Sequence, residues 1–107
     1  MRAAVLNEVG MPMAIEELTI DDPGYGEALV RVIAAGVCHS DLHFIEGTYS
    51  ANLPIVLGHE VAGIVESVGL GVKNVVPGDR VIVGFVQPCG HCDRCQSGRP
   101  NLCCLFV

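Results

Sequence analysis

Four cysteines, Cys89, Cys92, Cys95 and Cys103, follow one another in the spacing CxxCxxCx7C and restrict this chain more than anything else in it. The short gaps let successive thiolates converge on one centre, and four sulfurs complete the closed tetrahedron of a structural zinc site. Gly90, Gly98, Pro100 and Asn101 stand between the ligands, so the loop has the turn residues it needs to fold back around a metal. Two disulfides would use the same cysteines. Joining Cys89 to Cys92 or Cys95 closes only a small, strained ring, however, and nothing else in the chain suggests secretion. The spacing therefore predicts a zinc lobe over about residues 88–104, with Cys104 as a spare thiol or an alternative fourth ligand.

The rest of the composition fits one small domain. The 107 residues are half hydrophobic, contain 13 glycines and lack tryptophan, which suits a compact β-rich fold. A net charge of −6, with no basic run and no interleaving of aromatic and basic residues, argues against nucleic acid as a partner. The first residues place Arg2 inside what would have to be an apolar stretch, so they read as neither a secretory signal nor a membrane span. No other apolar run approaches membrane-spanning length. Reduced thiols without an export signal predict a cytoplasmic protein.

Along the chain, residues 2–6 and 13–19 read as strands around a turn at Gly10 and Pro12. A turn at residues 21–24 leads to a third strand over 27–35, which ends at Gly36. Residues 38–46 place Leu42 and Ile45 on one helical face before Gly47, which predicts a short helix. Strands follow over 60–68 and 81–86, joined through a turn at 76–80. Short strands, glycine turns and one helix predict a mainly β domain, a small and partly open β-barrel. Gly69-Leu70-Gly71 opens like a dinucleotide fingerprint, but Asn74 replaces the third glycine and no helical pattern follows. It reads as a turn.

Two further clusters carry chemistry: Cys38-His39-Ser40-Asp41-Leu42-His43 and Gly58-His59-Glu60. A thiolate at a helix start is stabilised by the helix dipole and free amides, which prepares Cys38 as a ligand. His59 could project toward a metal from a loop-to-strand junction, with Asp41 accepting the spare ring N–H. Each residue also has an ordinary reading: Cys38 as a small buried hydrophobe, His59 as a hydrogen-bonding histidine, Glu60 as a solvated strand end, His39 and His43 as a polar helix face.

The stretch Gly58-His59-Glu60-Val61-Ala62-Gly63, continuing through residues 64–69 to Gly78-Asp79-Arg80-Val81, resembles the zinc signature of medium-chain alcohol dehydrogenases. With Cys38-His39-Ser40-Asp41 upstream and the four cysteines downstream, the resemblance extends over essentially the whole chain. It implies a GroES-like catalytic domain over residues 1–107. It implies that Cys38 and His59 ligate a catalytic zinc, with Glu60 as an occasional or indirect ligand. Ser40 and His43 would pass a proton from substrate to solvent, Asp41 would buttress His59, and His39 would meet the cofactor's pyrophosphate. The implied reaction oxidises primary or secondary alcohols to aldehydes or ketones through a zinc-bound alkoxide, with hydride passing to NAD or NADP.

That family also has a Rossmann cofactor domain and a third protein ligand for the catalytic zinc, and neither is present in these residues. The expectation is thus an N-terminal portion of such an enzyme, inactive alone and a homo-oligomer at full length. Leu105, Phe106 and Val107 would begin a strand of the larger protein. Two alternatives stand beside this reading. One is a dehydrogenase acting on a thiol–formaldehyde adduct; the other is a stand-alone zinc-stabilised β-domain that binds a protein partner.

Overall fold

The computed structural model describes residues 1–105; the strand expected to begin at Leu105–Val107 lies largely outside them. Two three-stranded antiparallel sheets form the body. In the first, β1 (Arg2–Leu6) lies between β2 (Ala14–Glu17) and β4 (Ile55–Val56). In the second, β5 (Val61–Val68) lies between β3 (Ala28–Ala35) and β6 (Arg80–Val83). The helix α1 (His39–Glu46) follows β3, while a short helix α2 (Asp93–Gln96) and a 3-10 turn at Pro100–Leu102 lie within the cysteine loop. The result is mainly β and open, not a closed barrel. No helix among the described residues is long and apolar enough to cross a membrane.

Most sequence-based boundaries shift by a residue or two because ladders end where their partners do. β6 was expected over 81–86, but β5 offers it partners only from Val61 to Ile64, so pairing stops at Val83. β2 is likewise limited by the five residues of β1. Glu60 precedes β5, and its carbonyl accepts the Gly36 N–H at 2.7 Å, tying the ends of β3 and β5 together. β4 and α2 are too short to leave a periodic signal in the sequence.

The turns are specified by side chains. Asp79 Oδ2 accepts the Val76 N–H at 2.8 Å, closing the turn into β6. At Gly69, in the turn that mimics a dinucleotide fingerprint, a Cβ would overlap the Gly24 carbonyl. Gly69→Ala is therefore expected to cost about 1–3 kcal/mol by overpacking. Its thermal midpoint should fall by several degrees; an unchanged midpoint would show that this close approach is not confining.

The fold leaves much apolar surface open. Its accessible area is 8021 Å², against roughly 5,700 Å² for a free-standing monomer of this mass. Among the described residues only Val5, Leu6, Val65 and Cys103 form the buried apolar core, whereas Ile33 and Ile82 of the β3–β5–β6 sheet are exposed.

Candidate metal centres

Gly90 and Gly98 take left-handed backbone conformations on either side of α2, which bends the loop back on itself. The sulfurs of Cys89, Cys92, Cys95 and Cys103 consequently converge within 4.8 Å of one another, with all four thiols free. Cys89 and Cys95 Sγ are 4.0 Å apart. Backbone amides point into the group: the Cys89 N–H donates to Cys103 Sγ at 3.3 Å and the Cys92 N–H donates to Cys89 Sγ at 3.4 Å.

The sulfurs divide in acidity. Backbone hydrogen bonds from Cys104 and Cys95 bring Cys92 down to about 5, while burial pushes Cys95 up to about 12. Backbone hydrogen bonding to Cys89 leads the lowering of Cys103. Four thiolates this close repel one another, and a divalent cation between them removes that penalty. Four soft donors with amide support match a structural zinc site. Cys104 is exposed and stands outside the four-sulfur group, so the spare-thiol expectation fits its position better than the alternative-ligand one.

The second cluster is assembled by tertiary contacts. Cys38 caps the N-terminus of α1 in extended conformation, and Gly47 closes the helix in the left-handed region. Gly58, at φ 122°, provides the positive-φ step that delivers His59 into the sheet junction. Ligand atoms of Cys38, His59 and Glu60 thereby lie within 4.8 Å of one another. The Glu60 side chain fills the space over Gly36, where a Cβ would overlap its carboxylate.

Asp41 organises this group from below. It is 7% exposed, its Oδ2 accepts the Cys38 N–H at 2.9 Å, and its Oδ1 stands 3.6 Å from His59 Nδ1. The carboxylate thus favours a proton on Nδ1 and leaves Nε2 free on the side of Ser40, whose Oγ is 3.4 Å away. Hydrogen bonding from the Ser40 side chain and amide, then from His59, lowers Cys38 below the usual thiol range. A softened thiol, an oriented imidazole and an adjacent carboxylate are chemically a zinc-binding set with room for another ligand.

His39 and His43 occupy successive turns of α1, their rings 4.8 Å apart in an edge-on contact. Tyr49, which the sequence did not single out, packs edge-on against His43 at 5.0 Å. His43 Nδ1 is buried and without a hydrogen-bond partner among the described residues. No direct bond joins His43 to Ser40, although both lie on α1. Phe85 was also unforeseen; its ring lies 5.1 Å from that of His59. Phe85 belongs to a segment remote from His59, while Tyr49 follows α1 directly and its N–H donates to the His43 carbonyl at 3.1 Å.

Known proteins resemble this chain in sequence and in fold. Residues 24–107 match the family described as the alcohol dehydrogenase GroES-like domain. An NDMA-dependent alcohol dehydrogenase from Amycolatopsis methanolica is 52% identical over 102 residues, covering 95% of this chain and 28% of that protein. A protein named putative alcohol dehydrogenase D, from Mycobacterium tuberculosis, is 52% identical over 101 residues, covering 94% of this chain and 27% of its own length. A solved alcohol dehydrogenase zinc-binding domain protein from Burkholderia ambifaria superposes with a TM-score of 0.92 at 46% identity, covering 98% of this chain and 28% of that one. The chain spans little more than a quarter of the curated relatives it matches. By sequence and by fold, it belongs to the alcohol dehydrogenase GroES-like domain family.

Proposed function

We propose that residues 1–107 form the catalytic-domain portion of a zinc-dependent NAD(P) alcohol dehydrogenase acting on primary or secondary alcohols. The observation that carries this reading is the meeting of Cys38, His59 and Glu60, remote in sequence, beside the Ser40 hydroxyl. Cys89, Cys92, Cys95 and Cys103 would hold a structural zinc; Cys38 and His59, assisted by Glu60, would hold a catalytic one. A zinc ion at the latter supplies Lewis acidity toward a substrate hydroxyl.

The surrounding residues manage geometry and protons. Asp41 fixes the His59 ring, so its donor atom is presented without a search among orientations. Ser40 can accept a proton and donate its own, and it lies at the mouth of the Cys38–His59 group. His43, about one turn beyond Ser40 along α1, carries a buried ring nitrogen without a partner among the described residues and would receive such a proton. His39, at the first turn of α1, would meet an anionic cofactor group at the positive end of the helix dipole.

Hydride acceptance belongs to a cofactor domain in this reading, and the open face around Ile33 and Ile82 suits contact with further polypeptide. Substrate alcohol, NAD or NADP, homo-oligomeric assembly and a cytoplasmic setting, without nucleic acid or membrane, complete the proposal. The same exposed face also favours a second reading, a zinc-stabilised domain that docks a protein partner.

Metal stoichiometry separates the two. In the native-length protein, Cys38→Ser is expected to lower zinc from two ions per chain to one and to abolish alcohol oxidation, leaving the fold intact by circular dichroism. One zinc per wild-type chain would favour the docking module, and two zincs retained in the variant would rule out Cys38 as a ligand. Residues 1–107 alone are expected to show no NAD-dependent alcohol oxidation.

A further inference from the structure

The His43 ring has two aromatic neighbours. His39 meets it edge-on, with centroids 4.8 Å apart and ring planes at 89°. Tyr49 meets it at 5.0 Å and 61°. His39 is open to solvent, whereas His43 is half-buried and its Nδ1 is buried without a hydrogen-bond partner among the described residues. With no hydrogen bond at Nδ1 to fix the ring, packing takes over that task.

Tyr49 is well placed to carry it, because its own position is fixed by the end of the helix. The Gly10 N–H donates to the Ile45 carbonyl at 2.7 Å and ties down the last turn of α1. Gly47 then takes the left-handed conformation, at a place where a Cβ would overlap the Val9 side chain. The chain turns back, and the Tyr49 N–H donates to the His43 carbonyl. The Tyr49 ring also packs edge-on against Phe44, at 5.5 Å and 71°.

We propose that Tyr49 is a positioning residue for His43, its ring holding the imidazole in the orientation that takes up a proton leaving by way of Ser40. This rests on reading Ser40 and His43 as the proton path. The two lie three positions apart on α1 and share a face, yet no hydrogen bond joins them among the described residues. Transfer therefore depends on how much of the time the imidazole points the right way, since a misdirected acid or base loses most of its effect. A ring held between two others spends little time elsewhere. The Tyr49 hydroxyl has no part in this; the ring alone supplies the contact.

Three substitutions in the native-length protein test the proposal. Tyr49→Ala removes the ring, Tyr49→Phe keeps it without the hydroxyl, and His43→Gln removes the proton acceptor. With ethanol and benzyl alcohol as probes, Tyr49→Ala should lower kcat about tenfold with KM changed far less, and Tyr49→Phe should keep the wild-type values. Diethyl pyrocarbonate labelling, followed site by site by mass spectrometry, should modify His43 several-fold faster in Tyr49→Ala than in wild type, with the exposed His39 as reference. Tyr49→Leu, which keeps apolar bulk but no ring, is read the same way should alanine prevent folding. Unchanged labelling of His43, a phenylalanine variant as impaired as alanine, or an effect confined to KM, as a mere pocket wall would give, would overturn the proposal. His43→Gln tests the proton path separately. A normal kcat in that variant would undo the path, and the labelling rates would still decide whether Tyr49 holds the ring.

Discussion

Replacing Cys95 by serine is expected to strip the metal from residues 88–104 and unfold that lobe. Cys95 is one of four sulfurs converging within 4.8 Å, and serine offers a hard, protonated oxygen in place of a thiolate. Structural zinc in small peptides binds with about 10–16 kcal/mol of apparent free energy, against about 5–15 kcal/mol for the stability of a whole domain. The lobe has little else to hold it: α2 and the Pro100–Leu102 turn pack chiefly on each other, and α2 has no buried residue. Amide exchange should therefore rise first across residues 89–103. With Val5, Leu6 and Val65 as the buried apolar side chains outside the lobe among the described residues, the thermal midpoint of the rest should drop as well, by about 10 °C or more. A strong chelator should reproduce both changes in the wild type. Normal exchange in the lobe of a metal-free Cys95→Ser protein would refute a structural role for the ion.

Asp41 gives the second large effect, through a different centre. Its two oxygens serve two neighbours: one accepts the Cys38 N–H and the other stands beside His59 Nδ1. Asp41→Asn keeps the shape and can still accept one hydrogen bond, but it loses the charge that orients the imidazole. Groups that support a ligating histidine in this way change metal affinity by about 10–100-fold when removed. In the native-length protein, Asp41→Asn should weaken the catalytic zinc by that factor in a competition titration while the four-cysteine site holds its ion. Asp41→Ala, which also leaves the Cys38 N–H without its acceptor, should add a stability loss of about 1 kcal/mol. If the asparagine variant binds both zincs as tightly as wild type, Asp41 does no more than cap the helix.

The two centres differ in how far the sequence revealed them. Cys89, Cys92, Cys95 and Cys103 were readable because the loops between them are short and their ends have little freedom to diverge. The helix was readable from Leu42, Ile45 and the stop at Gly47, and the structure shifts its start only from Cys38 to the following residue. Ile55–Val56 was not foreseen, since two residues carry no alternation and pair only because Val5 and Leu6 lie open to them. Phe85 became a neighbour of His59 through folding of distant segments, whereas Tyr49 reaches His43 because the chain turns back just after α1.

Spacing along the backbone thus sufficed for the sulfur lobe, and the resemblance of the Gly58–Val81 region supplied the remaining identities. The meeting of Cys38 with His59 and Glu60 needed more. It depends on the β3–β5 register, on the Gly36 N–H bonded to Glu60, and on a bare glycine where the Glu60 carboxylate lies. Contacts between segments this far apart follow from which strands pair and in what register. Residue order restricts that choice only through the packing of the entire domain.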